Sequence, residues 1–354
     1  MQPLYQNDSH ALSNPPQGGH LGLWFERFFD KFENDWSIQP ESKKAWIQTV
    51  CRKQGNLEQL SQQARRCQQL ANALGGGYRE FKTQGTFVTG TGISHPVENG
   101  ITWHRTLALP YLPGSGVKGL LRAWVEQWME FADEDQRQLT SQRWFGHATG
   151  DEGSAGELVF HDLLPSQPLE LACEVMTPHM GKWYEQGGDI RSPADLAGSA
   201  PADWHSPVPI PFLTVKNGHF ATLITPRVPA ATTEVDRALG ELAKALEWLG
   251  AGAKTATGFG RMVDVLDLQR REAEAEQQRM AANAEDWAGA QITYNRGGKT
   301  LVAKKSGREA SAPQDKSAVL LAALKPDVRK KIETGQFVKL NVRVADSNLL
   351  EWLP

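Results

Sequence analysis

The run Gly250-Ala251-Gly252-Ala253-Lys254-Thr255-Ala256-Thr257-Gly258-Phe259-Gly260-Arg261 packs four glycines between a helical pattern and a strand pattern. Glycine tolerates positive φ and lets a second backbone or a ligand approach closely. The chain must therefore change direction tightly just before its next strand. The preceding helix is read over residues 232–249, with Thr233 the candidate N-cap before Glu234, and the following strand over residues 261–266. Small residues offer open amides, Lys254 and Arg261 supply charge, and Phe259 supplies a ring. Donors, charge and an aromatic platform are what a bent nucleic-acid backbone needs. The same composition also suits a helix C-cap followed by a β-turn.

A second glycine motif is Pro113-Gly114-Ser115-Gly116-Val117-Lys118-Gly119-Leu120-Leu121-Arg122. It lies between a strand read over residues 106–112 and a helix read over residues 117–131, where Leu120, Leu121, Trp124, Val125 and Trp128 repeat at helical spacing. Amides at a helix N-terminus form an anion site, and Lys118 and Arg122, four apart, share one helix face. The spacing is not GxxxxGK[ST], which excludes a P-loop. An ordinary strand-to-helix turn is the other reading.

Around these loops the chain reads as an α/β protein. Residues 1–77 form a flexible leader and a helical segment, with Leu23, Phe25, Phe28, Phe29 and Phe32 on one apolar face and Gly75-Gly76-Gly77 as the stop. Strands are read over residues 80–89, 156–164, 171–177, 210–215 and 219–225, with an irregular insertion over 178–209. Residues 78–268 thus suit a βαββαβ ferredoxin-like (RRM-like) core with insertions, a sheet that leaves one face free for RNA. Residues 269–290 form a charged helical connector. Residues 291–354, with strands near 292–294, 301–304 and 337–344 and a helix over 317–333, form a small basic C-terminal domain, expected as an incomplete barrel.

The net charge of −3 hides an asymmetry: residues 291–354 carry twelve Lys/Arg against six Asp/Glu, and the remainder 26 against 35. A folded basic module on an acidic body suits an extra grip on RNA or on an RNA-bound neighbour. Elsewhere a nucleic-acid grip must be local, through loops and amides. Cys51, Cys67 and Cys173 form no CxxC pair, so neither a disulfide framework nor a zinc site is expected. There is no apolar run near the roughly 18 residues of a membrane span and no signal-peptide pattern, which implies a cytoplasmic protein. Among the twelve tryptophans, Trp24, Trp36, Trp46, Trp124, Trp128, Trp183 and Trp204 lie among polar residues, where some would face a partner and others fill a core.

Taken in this order, the two glycine loops resemble those of the RAMP superfamily of CRISPR-associated proteins, whose signature is a C-terminal glycine-rich loop before the last strand. Thr91-Gly92-Ile93-Ser94-His95-Pro96, Leu109-Pro110-Tyr111-Leu112-Pro113-Gly114-Ser115, Val175-Met176-Thr177-Pro178-His179 with Trp183-Tyr184, Pro209-Ile210-Pro211-Phe212-Leu213-Thr214-Val215 and Gly252-Ala253-Lys254-Thr255 extend the resemblance. They look like the family of sixth RAMP subunits of the type III-B Cmr module. The resemblance covers roughly residues 78–266, leaving the basic tail outside. It implies a non-catalytic scaffold that binds the 3′ portion of the guide RNA, contacts target RNA and other RAMP subunits, and needs no cofactor. The expected RNA contacts are Gly114, Ser115, Gly116, Lys118, Arg122, His179, Lys254, Thr255, Gly258, Phe259, Gly260 and Arg261.

The alternatives are a RAMP-type endoribonuclease acting on guide precursors and a purely structural adaptor. Metal-free RNA cleavage needs a general base near the 2′-hydroxyl and a cation for the phosphate. His95, His104 and His179, with Lys118 or Lys254, are the residues to inspect. The sequence contains no HExxH and no GxSxG.

Overall fold

The structure, a computed structural model, describes residues 14–15, 18–147, 153–186, 191–193, 200 and 206–354. Most of the expected leader, Trp204 and much of the insertion over 178–209 lie outside the described residues. Two compact units are present, Met1–Leu266 and Asp267–Pro354.

The first unit opens with α1 (Leu21–Arg27), α2 (Pro40–Val50), the short strand β1 (Lys53–Gln54), α3 (Leu57–Leu74) and β2 (Gly77–Thr83). Asn56 starts α3 by accepting the Gln59 amide at 3.0 Å, and Gly75, left-handed at φ 67°, ends it. An irregular stretch follows, then α4 (Gly114–Gln127) and α5 (Glu134–Phe145), the latter capped by Asp133. The short strands β3 (Gly146–His147), β4 (Ser154–Ala155), β5 (Leu158–Phe160) and β6 (Leu164–Pro165) lead to β7 (Leu169–Met176) and α6 (Gly181–Gln186). Then come β8 (Ile210–Lys216), β9 (His219–Pro226), α7 (Thr232–Trp248) and β10 (Met262–Asp264).

The main sheet has the order β10-β2-β9-β5, antiparallel throughout, with β6 pairing on β9 beside β5. A second sheet orders β1-β7-β8. All six residues from Phe220 to Thr225 in β9 are buried, so both faces of that central strand are covered. Helices α3 and α7 each pack against β2 and β9. The sheet face expected to stay open for RNA is therefore not open at β9, and any ligand surface moves to the loops at the strand ends.

Several tryptophans resolve into core and surface. Trp24 and Trp46 stack with ring centroids 3.9 Å apart, and Phe25 and Phe29 close around Trp46. Truncating an indole buried this way costs about 3–5 kcal/mol. Trp36, Trp128 and Trp183 are exposed, and Trp124 is half-buried and donates to Glu241 at 2.7 Å. Thr233 is not the N-cap of α7. A 3-10 turn, Pro229–Ala231, runs straight into the helix, leaving Ala231 at the cap position without a side-chain bond.

The second unit contains most of α8 (Val265–Ala282), then β11 (Glu285–Asn295), β12 (Thr300–Lys305), β13 (Arg308–Ala312), α9 (Gln314–Ala322), α10 (Pro326–Glu333), β14 (Val338–Ala345) and β15 (Asn348–Trp352). Its strands form a closed barrel, not an incomplete one. The closing strands β13 and β15 contribute Ala310, Ala312 and Leu349 to the core, where Trp287, Ile292, Leu301, Ile332, Val342 and Val344 meet them. The helix expected over residues 317–333 is two helices, because Pro326 lacks an amide donor and restricts the residue before it.

Candidate nucleic-acid cleft

The two glycine motifs, which begin at Pro113 and Gly250, line one cleft of about 870 Å³. A third small-residue segment, residues 89–92, joins them together with Thr102, Leu120 and Trp248. Among the described residues, Arg261 is the only charged one lining the cleft, and no carboxylate lines it. Trp248, the last residue of α7, is 66% exposed.

Gly114, Ser115 and Gly116 are the first turn of α4, not a turn preceding it. The amide of Gly114 donates to Asp162 Oδ1 at 2.6 Å, and the amides of Gly116 and Val117 donate to the Pro113 carbonyl at 2.8 and 3.1 Å. A Cβ on Gly114 would strike the Phe160 carbonyl of β5, so close helix–strand packing requires glycine there. Ser115 stays exposed on the rim.

The second loop is bonded to the stretch that follows β2. Ala253 donates to the Val88 carbonyl and Gly260 to the Thr86 carbonyl, both at 2.8 Å, while Ala251 donates to Gly260 at 2.9 Å. Gly258 and Phe259 donate within the loop, to Thr255 and Lys254. Most of the amides expected to be open are thus engaged. The amides of Thr255 and Ala256, at the start of the single 3-10 turn Thr255–Thr257, take no backbone acceptor among the described residues, and both residues line the cleft. Gly252 and Gly260 have positive φ, and a Cβ on either would collide with a carbonyl, of Val88 and of Ala251.

The remaining expected contacts separate. Lys118 lines an adjacent recess of about 270 Å³ with Arg227, Gly114, Ser115 and Phe160. Arg122 forms an i,i+4 ion pair with Glu126 at 2.7 Å. Lys254 lies 5.1 Å from the Phe212 ring centroid and 3.0 Å from Met176 Sδ, and Phe259 also packs near Phe212, at 6.1 Å. Neither of these two side chains lines the cleft. His179 is exposed in the loop between β7 and α6 and lines neither recess, and Gly258 borders open space at φ +90°.

The sequence reading misses Trp248, Thr89, Gly90 and Thr102 as cleft residues, and Arg227 as the neighbour of Lys118. Trp248 carries a usable signal. Val235, Leu239, Leu242 and Leu246 define the buried face of α7, and Trp248 falls off it immediately before the glycine run. Arg227 gives none, because it follows β9 and meets Lys118 only through folding.

Both nitrogens of His95 and Nδ1 of His104 face protein partners. His95 sits 2.9 Å from the Phe25 carbonyl through Nε2 and accepts the Val97 amide at Nδ1, with its ring stacked on Phe25. His104 Nδ1 accepts from the amides of Thr106 and Leu107. Burial pushes the pKa of both below the ordinary histidine value. Among the described residues, no group of three or more His, Cys, Asp or Glu is placed to hold a metal ion, and no helix is long and apolar enough to cross a membrane.

Comparison with known proteins identifies the RAMP superfamily, whose family model matches residues 80–263. The CRISPR system Cmr subunit Cmr6 of Pyrococcus furiosus is 29% identical, the match covering 55% of this chain and 70% of that protein. The crystal structure of Cmr6 from Pyrococcus furiosus aligns at 27% identity and TM-score 0.30, over 53% of this chain and 97% of the other. A chain of the type III-B Cmr-beta complex bound to cognate target RNA aligns at 20% identity and TM-score 0.49, over 74% and 84%.

Proposed function

Since the chain belongs to the RAMP superfamily, we propose that it is a non-catalytic, guide-RNA-binding structural subunit of a type III-B CRISPR Cmr effector complex. Its place is near the guide 3′ end, in the cytoplasm, in contact with target RNA and other RAMP subunits. The similarity to Cmr6 of Pyrococcus furiosus supports the assignment to a Cmr complex. The order β10-β2-β9-β5, with α4 between β2 and β5 and α7 between β9 and β10, supports a ferredoxin-like core.

The observation that carries the RNA-binding reading is the lining of the cleft: three small-residue segments, Arg261, Trp248 and no carboxylate. Among the described residues a polyanion entering it meets no like charge, and it finds a cation, the Thr255 and Ala256 amides without a backbone acceptor, and an exposed indole for a base. Binding of this kind is salt-sensitive and largely indifferent to sequence. Both ring nitrogens of His95 and Nδ1 of His104 serve backbone partners, and none of His95, His104 and His179 lines the cleft, which supports a holding role in preference to general-base chemistry.

The test is filter binding of a guide RNA to the full chain and to Trp248→Ala and Arg261→Glu, each checked for fold by circular dichroism, with a parallel assay for cleavage of a guide precursor. The reading expects at least about fivefold weaker binding for Trp248→Ala, a larger loss for Arg261→Glu, and no cleavage. Unchanged binding in both variants would leave the adaptor role, and cleavage by the purified chain would leave the nuclease.

A further inference from the structure

The C-terminal barrel lies beyond the family match and shares no residue with the cleft. Its strands close in the order β11-β12-β13-β15-β14, β13 and β15 are the one parallel pair, and α9 and α10 fall between β13 and β14. This is the topology of an OB-fold, a barrel whose second and third strands and first hairpin loop carry oligonucleotides in many unrelated proteins. Topology alone assigns no ligand; the side chains on that face do.

Ile292, Leu301, Ala303 and Ala310 are buried in the barrel, so their alternates point outward. One outward row runs across the strands as Lys339, Gln291 and Lys304, and the next as Thr293, Val302 and Ser311. Phe337 is 60% exposed and directly precedes β14. The loop between β11 and β12 is Arg296-Gly297-Gly298-Lys299, and Arg296 anchors it by donating to the Glu333 carbonyl at 2.8 and 2.9 Å. This brings the loop beside the end of α10, close in sequence to Phe337.

The charge on this face is only partly neutralised within the barrel. Glu309 pairs with Lys304, whereas Lys299 and Lys339 take no carboxylate among the described residues. Asp346, in the loop between β14 and β15, is held by Arg279 of α8 and by Asn283 just after it. An exposed ring flanked by free ammonium groups on a polar strand face is the chemistry that holds single strands: stacking on the ring and phosphate contacts beside it. We propose that this barrel is a second binding site for single-stranded nucleic acid, with Phe337 stacking on a base and Lys299 and Lys339 meeting the flanking phosphates.

The proposal does not depend on the cleft, so its test is made in the full chain carrying Trp248→Ala and Arg261→Glu. Fluorescence anisotropy would follow a single-stranded RNA and a duplex of the same sequence over a salt series. Phe337→Ala should weaken single-strand binding at least about fivefold. Lys299→Ala with Lys339→Ala should flatten the slope of log affinity against log salt by about 1.4, and duplex binding should change less. Single-strand affinity and slope that stay put in folded variants would overturn the proposal. Intact single-strand binding with lost association to partner subunits would also overturn it, and would make the face a protein-docking surface.

Discussion

Asp162 accepts the hydrogen bond of the Gly114 amide at 2.6 Å, so the N-terminus of α4 is capped from within the protein. A carboxylate there satisfies one orphan amide and complements the helix dipole. It also occupies the position that a phosphate would need to reach that amide. The glycines of this turn therefore answer first to packing against β5 and Leu112, and their contribution to a ligand surface is the exposed rim at Ser115. Replacing Asp162 by Ala should lower stability by about 0.5–2 kcal/mol, measured by urea denaturation, without abolishing RNA binding.

Two glycines near the C-terminal end of the second loop predict different tolerance. Gly258 has φ +90° with open space around its missing side chain, while Gly260 has φ +75° and a carbonyl in the way. Gly258→Ala should cost about 1 kcal/mol from strain alone. Gly260→Ala should cost clearly more, because the Ala251–Gly260 closure must move. Denaturant midpoints compare them, and equal midpoints would contradict this account of the loop.

Lys118 and Arg122 sit one turn apart on α4 but face different surroundings. Arg122 is held by Glu126, and Lys118 shares a recess with Arg227. If phosphates reach this recess, Lys118→Ala and Arg227→Ala should each reduce the salt slope of RNA binding by about 0.7. Arg122→Ala should leave the slope unchanged. A reduced slope for Arg122→Ala would show that its pair with Glu126 opens on binding.

Stability should fall as the solution is acidified below neutrality. His95, His104, His161 and His219 all have pKa values lowered from 6.5, with burial the leading cause. For a histidine with a depressed folded pKa, the unfolded chain takes up its proton first. The stabilisation is then complete above the unfolded value and is lost as pH falls through the folded one. At His95 the added proton also removes the acceptor that serves the Val97 amide. Thermal midpoints measured from pH 7.5 to pH 5 should decline, and less steeply in His95→Gln than in the wild type. Parallel profiles would remove His95 from the explanation.

Helices and strands with clear period were legible in the sequence: α7, β8 and β9 lie close to their expected bounds because their apolar residues repeat cleanly. Closure of the C-terminal barrel was not legible. Its strand β13 turns Ala310 and Ala312 inward, and alanine carries little strand signal. Both glycine motifs pointed to the cleft, but the side-chain roles were harder to read. Spacing on α4 grouped Lys118 with Arg122, whereas the fold joins Lys118 to Arg227 and commits Arg122 to Glu126. Lys254 and Phe259 read as RNA-facing, and the fold turns them onto Phe212 of β8, a neighbour that no local pattern announces.

The central claim is that the cleft between the two glycine motifs is where RNA lies. Ultraviolet crosslinking of the full chain to a guide RNA, with the crosslinked peptides identified by mass spectrometry, tests it most directly. The account predicts crosslinks at Trp248 and within residues 89–92 and 250–261, lost in the Arg261→Glu variant. Crosslinks that avoid these segments and fall elsewhere on the Met1–Leu266 unit would contradict it.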